Sequence, residues 1–405
     1  MKILMATCSP GRREGGTSGV ALELARQLEL RGHDVEILFQ EDIPPSKFLP
    51  ARLNELHFAA GVARHIFSKR DRYDVVYLRA PNGCVYGALR RLLFAKGAPP
   101  YVAELAALEE RRVYAIRQET RKGAGWDNKW KNRAWHRVYH MPRFRWSIKT
   151  ADAVACATRE VWSYLQLAYG LPANRVIYLP HAVGGRFLRE REYQPFRSPK
   201  LLFVGWWLLP RGTNYIIAAF TELCRRLPGT QLTIAGSIVG PEEILRQFPE
   251  AVRSSVSVIP LVPSEQMPDV YAAHDIFVFP SFFEALPLVL LEAMASGMPV
   301  VTAETCGMMD AVRNDWNGIL VPPGDSQAIV DAVLRLSASR DLRERLGTNA
   351  RETARWFSWE RIGGILEGVL LKAVEEAKAG TAREPHSAAA TEKQASPRVA
   401  PYKER

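Results

Sequence analysis

Two glutamates, Glu284 and Glu292, stand eight residues apart in the stretch Phe277–Val301, FVFPSFFEALPLVLLEAMASGMPVV. A carboxylate pair can exchange protons with a substrate, or it can accept hydrogen bonds from neighbouring hydroxyls. Spacing separates the two uses. If both residues lay on one helix, they would be about 12 Å apart along its axis. Glycoside hydrolases work with carboxylates about 5–9.5 Å apart. The pair is therefore a poor acid/base couple and better suited to gripping two parts of one extended polar ligand. On chemistry alone, Glu292 is equally well read as a surface carboxylate on a helix.

A second candidate lies in Lys200–Thr213, KLLFVGWWLLPRGT, where an apolar strand runs into Gly205 and Arg211-Gly212 opens a helix. An arginine beside free amides at a helix start can clamp a diphosphate, although a surface arginine reads the same way. A third is the loop Gly11–Gly19, whose Gly15 and Gly16 bring bare backbone amides to a helix N-terminus. It suits an anion, and it is also an ordinary turn. Its glycines run G-G-x-x-G, so the dinucleotide fingerprint G-x-G-x-x-G is missing and a dinucleotide oxidoreductase is disfavoured. Glu104 closes a strand before Ala106, where a solvated or capping carboxylate is the plain reading.

These residues need elements to hold them. Phe277–Pro280 reads as a buried strand, Glu284 as part of a short loop, and Leu286–Ala295 as a helix stopped by Gly297 and Pro299. Met298–Val301 starts the next strand. This is a strand–loop–helix–strand unit of a parallel sheet, in which ligands bind at the carboxyl ends of the strands. The same alternation runs along the chain. Strands are expected at Lys2–Thr7, His33–Phe39, Asp74–Arg79, Tyr101–Leu105, Ala153–Thr158 and Arg175–Leu179, and again from Lys200. The polar, proline-bearing residues 191–199 read as a linker between the two series. Two doubly wound α/β domains, 1–190 and 200–357, would then face each other across a cleft. A helix at 358–379 packs back on the first domain, and the Ala-, Pro- and Ser-rich residues 380–405 are expected to be disordered.

The 405 residues allow two or three domains. Five scattered cysteines with no C-x-x-C pair argue against a disulfide framework or zinc site and fit a reducing cytoplasm. No run of about 18 apolar residues exists, so no membrane-spanning helix is expected. Residues 1–190 hold 31 Lys+Arg against 18 Asp+Glu, so all the excess positive charge lies there. Such a half suits an anionic partner. Within it, residues 121–150 mix nine Lys/Arg, one acid (Asp127) and four tryptophans, Trp126, Trp130, Trp135 and Trp146. That composition suits the headgroup level of a membrane, a base-stacking surface, or a solvated helix whose tryptophans pack inward.

Taken together, the residues resemble the retaining glycosyltransferases of family 4, with the two-domain GT-B fold of Rossmann-like halves. The pattern P-S-x-x-E-x7-E-A-M-A-x-G-x-P-V-V is met from Pro280 to Val301. Gly32–Val35, Ala151–Thr158, Phe203–Gly205, Asn317–Asp325 and Phe357–Glu360 add supporting pieces. The resemblance implies that Glu292 binds the ribose hydroxyls of a nucleotide sugar. It implies that Glu284, with Ala285 and Leu286, meets the transferred sugar and that Arg211 neutralises the diphosphate. Gly15 and Gly16 would lie between donor phosphate and acceptor, and the Leu261–Val262 backbone would contact the base. It implies no cofactor and no catalytic metal, a nucleoside-diphosphate sugar as co-substrate, and no nucleic-acid partner.

The chain departs from that pattern in several places. Trp206 stands where a first basic phosphate residue is expected, leaving Arg12 or Arg13 to help. Ala285 replaces a glycine, Gly307 is followed by Met308 in place of a second glycine, and no histidine follows the fourth strand. His181 replaces an asparagine and reads as structural. The expected protein is a cytoplasmic retaining glycosyltransferase whose acceptor is a glycolipid, a polyprenyl-linked saccharide or a surface polysaccharide. Residues 121–150 would touch the inner face of the membrane. A sugar-nucleotide epimerase and a non-catalytic nucleotide-sugar binder are the rivals.

Overall fold

The first sheet forms where short β-branched and aromatic runs alternate with helices. Its strands are β1 (Lys2–Ala6), β2 (Asp34–Leu38), β3 (Val75–Arg79), β4 (Tyr101–Leu105), β5 (Ala153–Cys156) and β6 (Val176–Tyr178). Their order is β2-β1-β3-β4-β5-β6, and every pairing is parallel. The second sheet holds β7 (Lys200–Val204), β8 (Gln231–Ala235), β9 (Val256–Ile259), β10 (Ile276–Phe279), β11 (Val300–Ala303) and β12 (Ile319–Val321). Its order is β12-β11-β10-β7-β8-β9, again all parallel. The structure, a computed structural model, describes residues 1–11, 16–92, 97–107, 135–195 and 198–379. Gly15, Arg12, Arg13, residues 121–134 and the tail 380–405 lie outside the described residues.

Strand order fixes where ligands can enter. In the first sheet the winding reverses between β1 and β3, and in the second between β7 and β10. At such a reversal the connections leave in opposite directions and open a crevice at the carboxyl ends. Gly16 opens the helix that follows β1, Arg211 lies after β7 and Glu284 after β10. All three therefore belong to the two reversals.

Several elements differ from the sequence-based expectation. The helix carrying Glu292 spans Leu288–Ala295 rather than starting at Leu286, because Pro287 disfavours helical backbone at Leu286 and itself serves as the cap residue. The first helix, Gly16–Glu29, begins before Thr17 and Ser18, so neither caps it. Helix Asn54–Ser68, between β2 and β3, was not anticipated. Two residues read as linker contact the second domain: Arg191 reaches the carbonyls of Tyr271 and His274, and the Tyr193 hydroxyl donates to Gly297 O at 2.7 Å.

Both faces of the first sheet are covered, as a parallel sheet requires. On one face, Val20, Leu24 and Leu28 of the first helix share a core with Ile362, Leu366 and Leu370 of the C-terminal helix Trp359–Lys378. That helix follows the whole second domain in sequence yet packs on the first. Val183 N donates to Phe357 O at 2.8 Å where the chain crosses back. Arg31 and His33 pair with Glu367 at 3.3 and 2.8 Å. A Cβ on Gly363 would lie 2.6 Å from Gln27 Cβ, so a bare α-carbon permits the close helix approach. Leu370→Ala should cost about 2–5 kcal/mol of stability through the cavity it leaves in the first domain's core. Urea unfolding followed by circular dichroism checks this. A loss below about 1 kcal/mol would mean that the helix adds little to that core.

Candidate active site

The loop from Pro280 to Leu286 is held from both sides by backbone contacts. Beneath it, Phe282 N donates to Pro210 O at 3.0 Å, and the Thr305 hydroxyl donates to Ser281 O at 3.3 Å. Gly212 has φ +74°, and a Cβ there would sit 2.4 Å from Pro280 O. A side chain at that position would be both strained and in collision. Gly307 is under tighter restraint. Its added Cβ would fall 1.2 Å from Ala285 O, while its amide donates to Glu284 O at 3.3 Å. Of the two glycines expected near 307, the one retained is the one that the loop rests on.

The loop presents Glu284 to Arg211. Arg211 Nη2 lies 3.2 Å from Glu284 Oε1, and each side chain is only about a fifth exposed (23% and 21%). The guanidinium also lies over the Phe279 ring, 5.4 Å from its centroid, a favourable cation–π placement. Ser281 Oγ donates to the same carboxylate oxygen at 3.4 Å. Burial raises the Glu284 carboxyl above its ordinary range, while Arg211 and Ser281 pull it down. A guanidinium offers five N–H donors, so an Arg211 that steadies Glu284 through Nη2 keeps donors for an anion.

Glu292 is held differently. The fully buried Tyr271 donates its hydroxyl to Glu292 Oε2 at 2.8 Å. Tyr271 is wedged against Phe187 and Phe277. Burial raises the Glu292 carboxyl as well, with Tyr271 and then Arg186 opposing it. Glu292 is thus no ordinary surface carboxylate. Tyr271 is the partner of Glu292 that the sequence reading missed. It stands 21 positions before Glu292, in a helix whose pattern reads as core.

Other expected residues fall around this centre. Gly16 is exposed, with nothing within 4 Å of an added Cβ. Leu261 is exposed after β9, and Val262 packs partly on the core. Trp206 stands exposed after β7. Leu286 is buried, and its carbonyl lies 2.7 Å from His181 Nδ1. A carbonyl can only accept, so Nδ1 carries the proton. Burial lowers the imidazole pKa and keeps the ring neutral. His181, read as structural, ties the first domain to the Glu284 loop. Glu104, read as a solvated edge carboxylate, is turned inward and lies 3.9 Å from Arg79 Nη1.

The two domains meet directly over the loop. Ala107, Thr158 and Glu160 of the first face Glu284, Ala285 and Cys306 of the second across a narrow opening. Asp310 of the second domain accepts from Arg159 N at 2.8 Å, at the start of a helix of the first. Among the described residues, no group of three or more His, Cys, Asp or Glu side chains could hold a metal ion.

This architecture is matched elsewhere. Residues 14–184 match the model of Glycosyltransferase Family 4, and residues 187–353 match that of Glycosyl transferases group 1. The chain belongs to this glycosyltransferase family. The D-inositol 3-phosphate glycosyltransferase of Xylanimonas cellulosilytica is a family relative, 30% identical over 247 residues, which are 56% of this chain and 58% of that one. The chain spans only about half to three fifths of the length of the curated relatives it matches first. Three solved structures share its GT-B fold. Sucrose-phosphate synthase from Thermosynechococcus elongatus superposes with a TM-score of 0.72 at 19% identity, over 93% of this chain and 99% of that one. WaaG, a glycosyltransferase involved in lipopolysaccharide biosynthesis, gives 0.70 at 18%, over 91% and 99%. Anabaena HepE in complex with UDP and glucose gives 0.65 at 17%, over 92% and 99%.

Gly307→Ala should displace the Ser281–Leu286 loop and cost about 3 kcal/mol, because backbone rather than a flexible side chain must move. Denaturant melting would show it. A variant as stable as the parent would mean that the loop does not rest on Gly307.

Proposed function

We propose that this chain is a retaining glycosyltransferase that moves a sugar from a nucleoside diphosphate to a carbohydrate or glycolipid acceptor, such as a polyprenyl-linked saccharide or a surface polysaccharide. The observation that carries the reading is the placement of Arg211 and Glu284 together at the β7/β10 reversal, beside a Glu292 oriented by Tyr271. Arg211 would meet the diphosphate, Glu284 the transferred sugar and Glu292 the ribose hydroxyls. The neighbour bound to UDP and glucose supports that donor class.

In this reading the bond between the anomeric carbon and the diphosphate oxygen breaks as the acceptor oxygen approaches on the same face. The departing diphosphate takes the acceptor's proton, and its growing charge falls on Arg211 and on the amides that follow β1. No resident metal is needed for these steps. The protein's part is to position and to stabilise charge.

Glu292→Ala should weaken binding of the matching nucleoside diphosphate about tenfold to a hundredfold, the worth of charge-assisted hydrogen bonds to a diol. Tyr271→Phe should weaken it less and move its acid limit to higher pH, since the lost donor stabilises the ionised form. Both carboxyls have folded pKa values raised by burial, so binding should fail at a pH above the ordinary carboxylate range as they protonate. The same sign means that their ionisation costs stability at neutral pH and that protonation relieves the cost. Loss of binding should therefore precede acid unfolding. Calorimetry with a panel of nucleoside diphosphates across pH measures all three. Unchanged binding in Glu292→Ala would remove the assignment.

A specific observation favours a second reading. Trp206 is exposed at the position where the family resemblance expects a cation. A nucleotide-sugar-binding protein without turnover would bind the donor tightly and transfer nothing to any acceptor. Release of free nucleoside diphosphate only in the presence of acceptor would favour transfer over this reading and over epimerisation.

The acceptor side suits a membrane surface in the cytoplasm, through the basic segment. Helix Met141–Thr150 exposes Arg145, Trp146 and Lys149, and Val138 is exposed one turn earlier. Arg143, counted among the basic residues, does not take part. It is buried and paired with Glu55 at 3.1 Å over the Tyr139 ring. Among the described residues, no helix is long and apolar enough to cross a membrane. Replacing Arg145 and Lys149 with glutamate and Trp146 with alanine should reduce sedimentation with anionic phosphatidylglycerol vesicles about tenfold or more. Equal sedimentation would overturn the membrane contact.

A further inference from the structure

Phe48 projects from the loop that follows β2 and is 97% exposed, more than any other large apolar side chain among the described residues. A single exposed ring is ordinary, but this one is not single. Pro44, Pro45, Leu49 and Pro50 are exposed around it, so the tip of the loop is an apolar run.

The loop is held at its base and stiff at its tip. Ile43 packs on the first domain's core. A Cβ on Gly61 of helix Asn54–Ser68 would come 2.5 Å from Ile43 Cγ2, so the loop enters close against that helix. Phe48 N donates to Ser46 Oγ at 3.2 Å, and the prolines fix their own φ angles. A tip so restricted loses little further freedom when it is covered.

The surrounding charges select the partner. The acids of this stretch are engaged. Glu41 accepts from Gly11 N at 3.1 Å, Asp42 from Phe39 N at 2.8 Å, and Glu55 pairs with Arg143 at 3.1 Å. Lys47 and Arg52 are exposed on either side of the tip. Arg52 lies over the Trp135 ring, 6.0 Å from its centroid, and Trp135 stacks on Tyr139 at 4.3 Å. Those contacts set the loop beside the start of the basic helix. From there Val138, Pro142, Arg145, Trp146 and Lys149 are exposed at helical spacing. An apolar tip flanked by cations, next to a basic stripe that carries a tryptophan, complements an anionic bilayer. The ring suits the acyl boundary and the cations suit the headgroups.

We propose that Phe48 and Leu49 form a wedge that enters an anionic bilayer and anchors the first domain to it. This rests on the membrane contact proposed above. It adds an apolar anchor on a separate element, whose hold does not depend on salt as that of the cations does. Phe48→Ser in the full chain tests it, since a ring that meets solvent can be removed without loss of Tm. Sedimentation with vesicles of mixed phosphatidylglycerol and phosphatidylcholine is measured at low and high salt, with thermal melting of the lipid-free protein alongside. The expected result is about tenfold weaker vesicle binding in Phe48→Ser at both salt concentrations, with an unchanged Tm. Phe48→Trp should bind as well as the parent. Equal sedimentation of Phe48→Ser and parent at both salt concentrations would overturn the wedge, even if the changes at Arg145, Trp146 and Lys149 still released the protein. So would a Phe48→Ser variant that loses self-association but keeps its lipid affinity, because the tip would then cover a second copy. A parent chain that does not sediment with the vesicles at low salt would overturn the membrane contact itself, and the wedge with it.

Discussion

The site depends on how one seven-residue loop, Pro280 to Leu286, is suspended between two domains. Its floor is backbone. Gly307 and Gly212 carry no side chain because the carbonyls of Ala285 and Pro280 occupy that space. Its roof is a single imidazole of the other domain, His181, holding Leu286 O at 2.7 Å. A loop pinned on both sides loses little further entropy when a ligand arrives, which is the physical content of preorganisation.

Within that frame the charges are arranged to be held without being neutralised. Arg211 and Glu284 form a half-buried pair, and a buried pair gains little net stability once desolvation is counted. Its value lies in geometry. Phe279 fixes the guanidinium plane, Ser281 the carboxylate, and each ion prevents the other from swinging away. Glu292 has no cation of its own at hydrogen-bond distance among the described residues. Its orientation comes from a neutral phenol, which directs Oε2 inward and leaves the carboxylate available to hydroxyl donors. The two carboxylates, both with pKa values raised by burial, thus stand in different settings, one beside a cation and one beside a phenol.

How much of this was legible in the sequence depends on the range of the interaction. The alternation of strands and helices, the two sheets and the positions of Glu284, Glu292 and Arg211 follow from local pattern, and the family resemblance strengthened the same residues. The contacts of Tyr271 with Glu292 and of His181 with Leu286 O were not legible, because the partners stand 21 and 105 positions apart. Glu104 was within reach. Period two from Val102 puts it on the covered face of β4, although a carboxylate at the end of a strand ordinarily meets solvent. Arg143 failed for a similar reason, since composition cannot distinguish an arginine that faces lipid from one buried against Tyr139 and Glu55. The helix boundary at Leu288 was legible too, had Pro287 been given its full restriction on Leu286.

The central claim is that one extended nucleotide ligand spans Arg211, Glu284 and Glu292. A crystal structure of the protein soaked with the nucleoside diphosphate that binds most tightly tests it most directly. The account predicts ribose hydroxyls on the Glu292 carboxylate, with Tyr271 still bonded to Oε2, and the terminal phosphate at Arg211 beside Glu284. A nucleotide bound away from Glu292, or a diphosphate that makes no contact with Arg211, would contradict it.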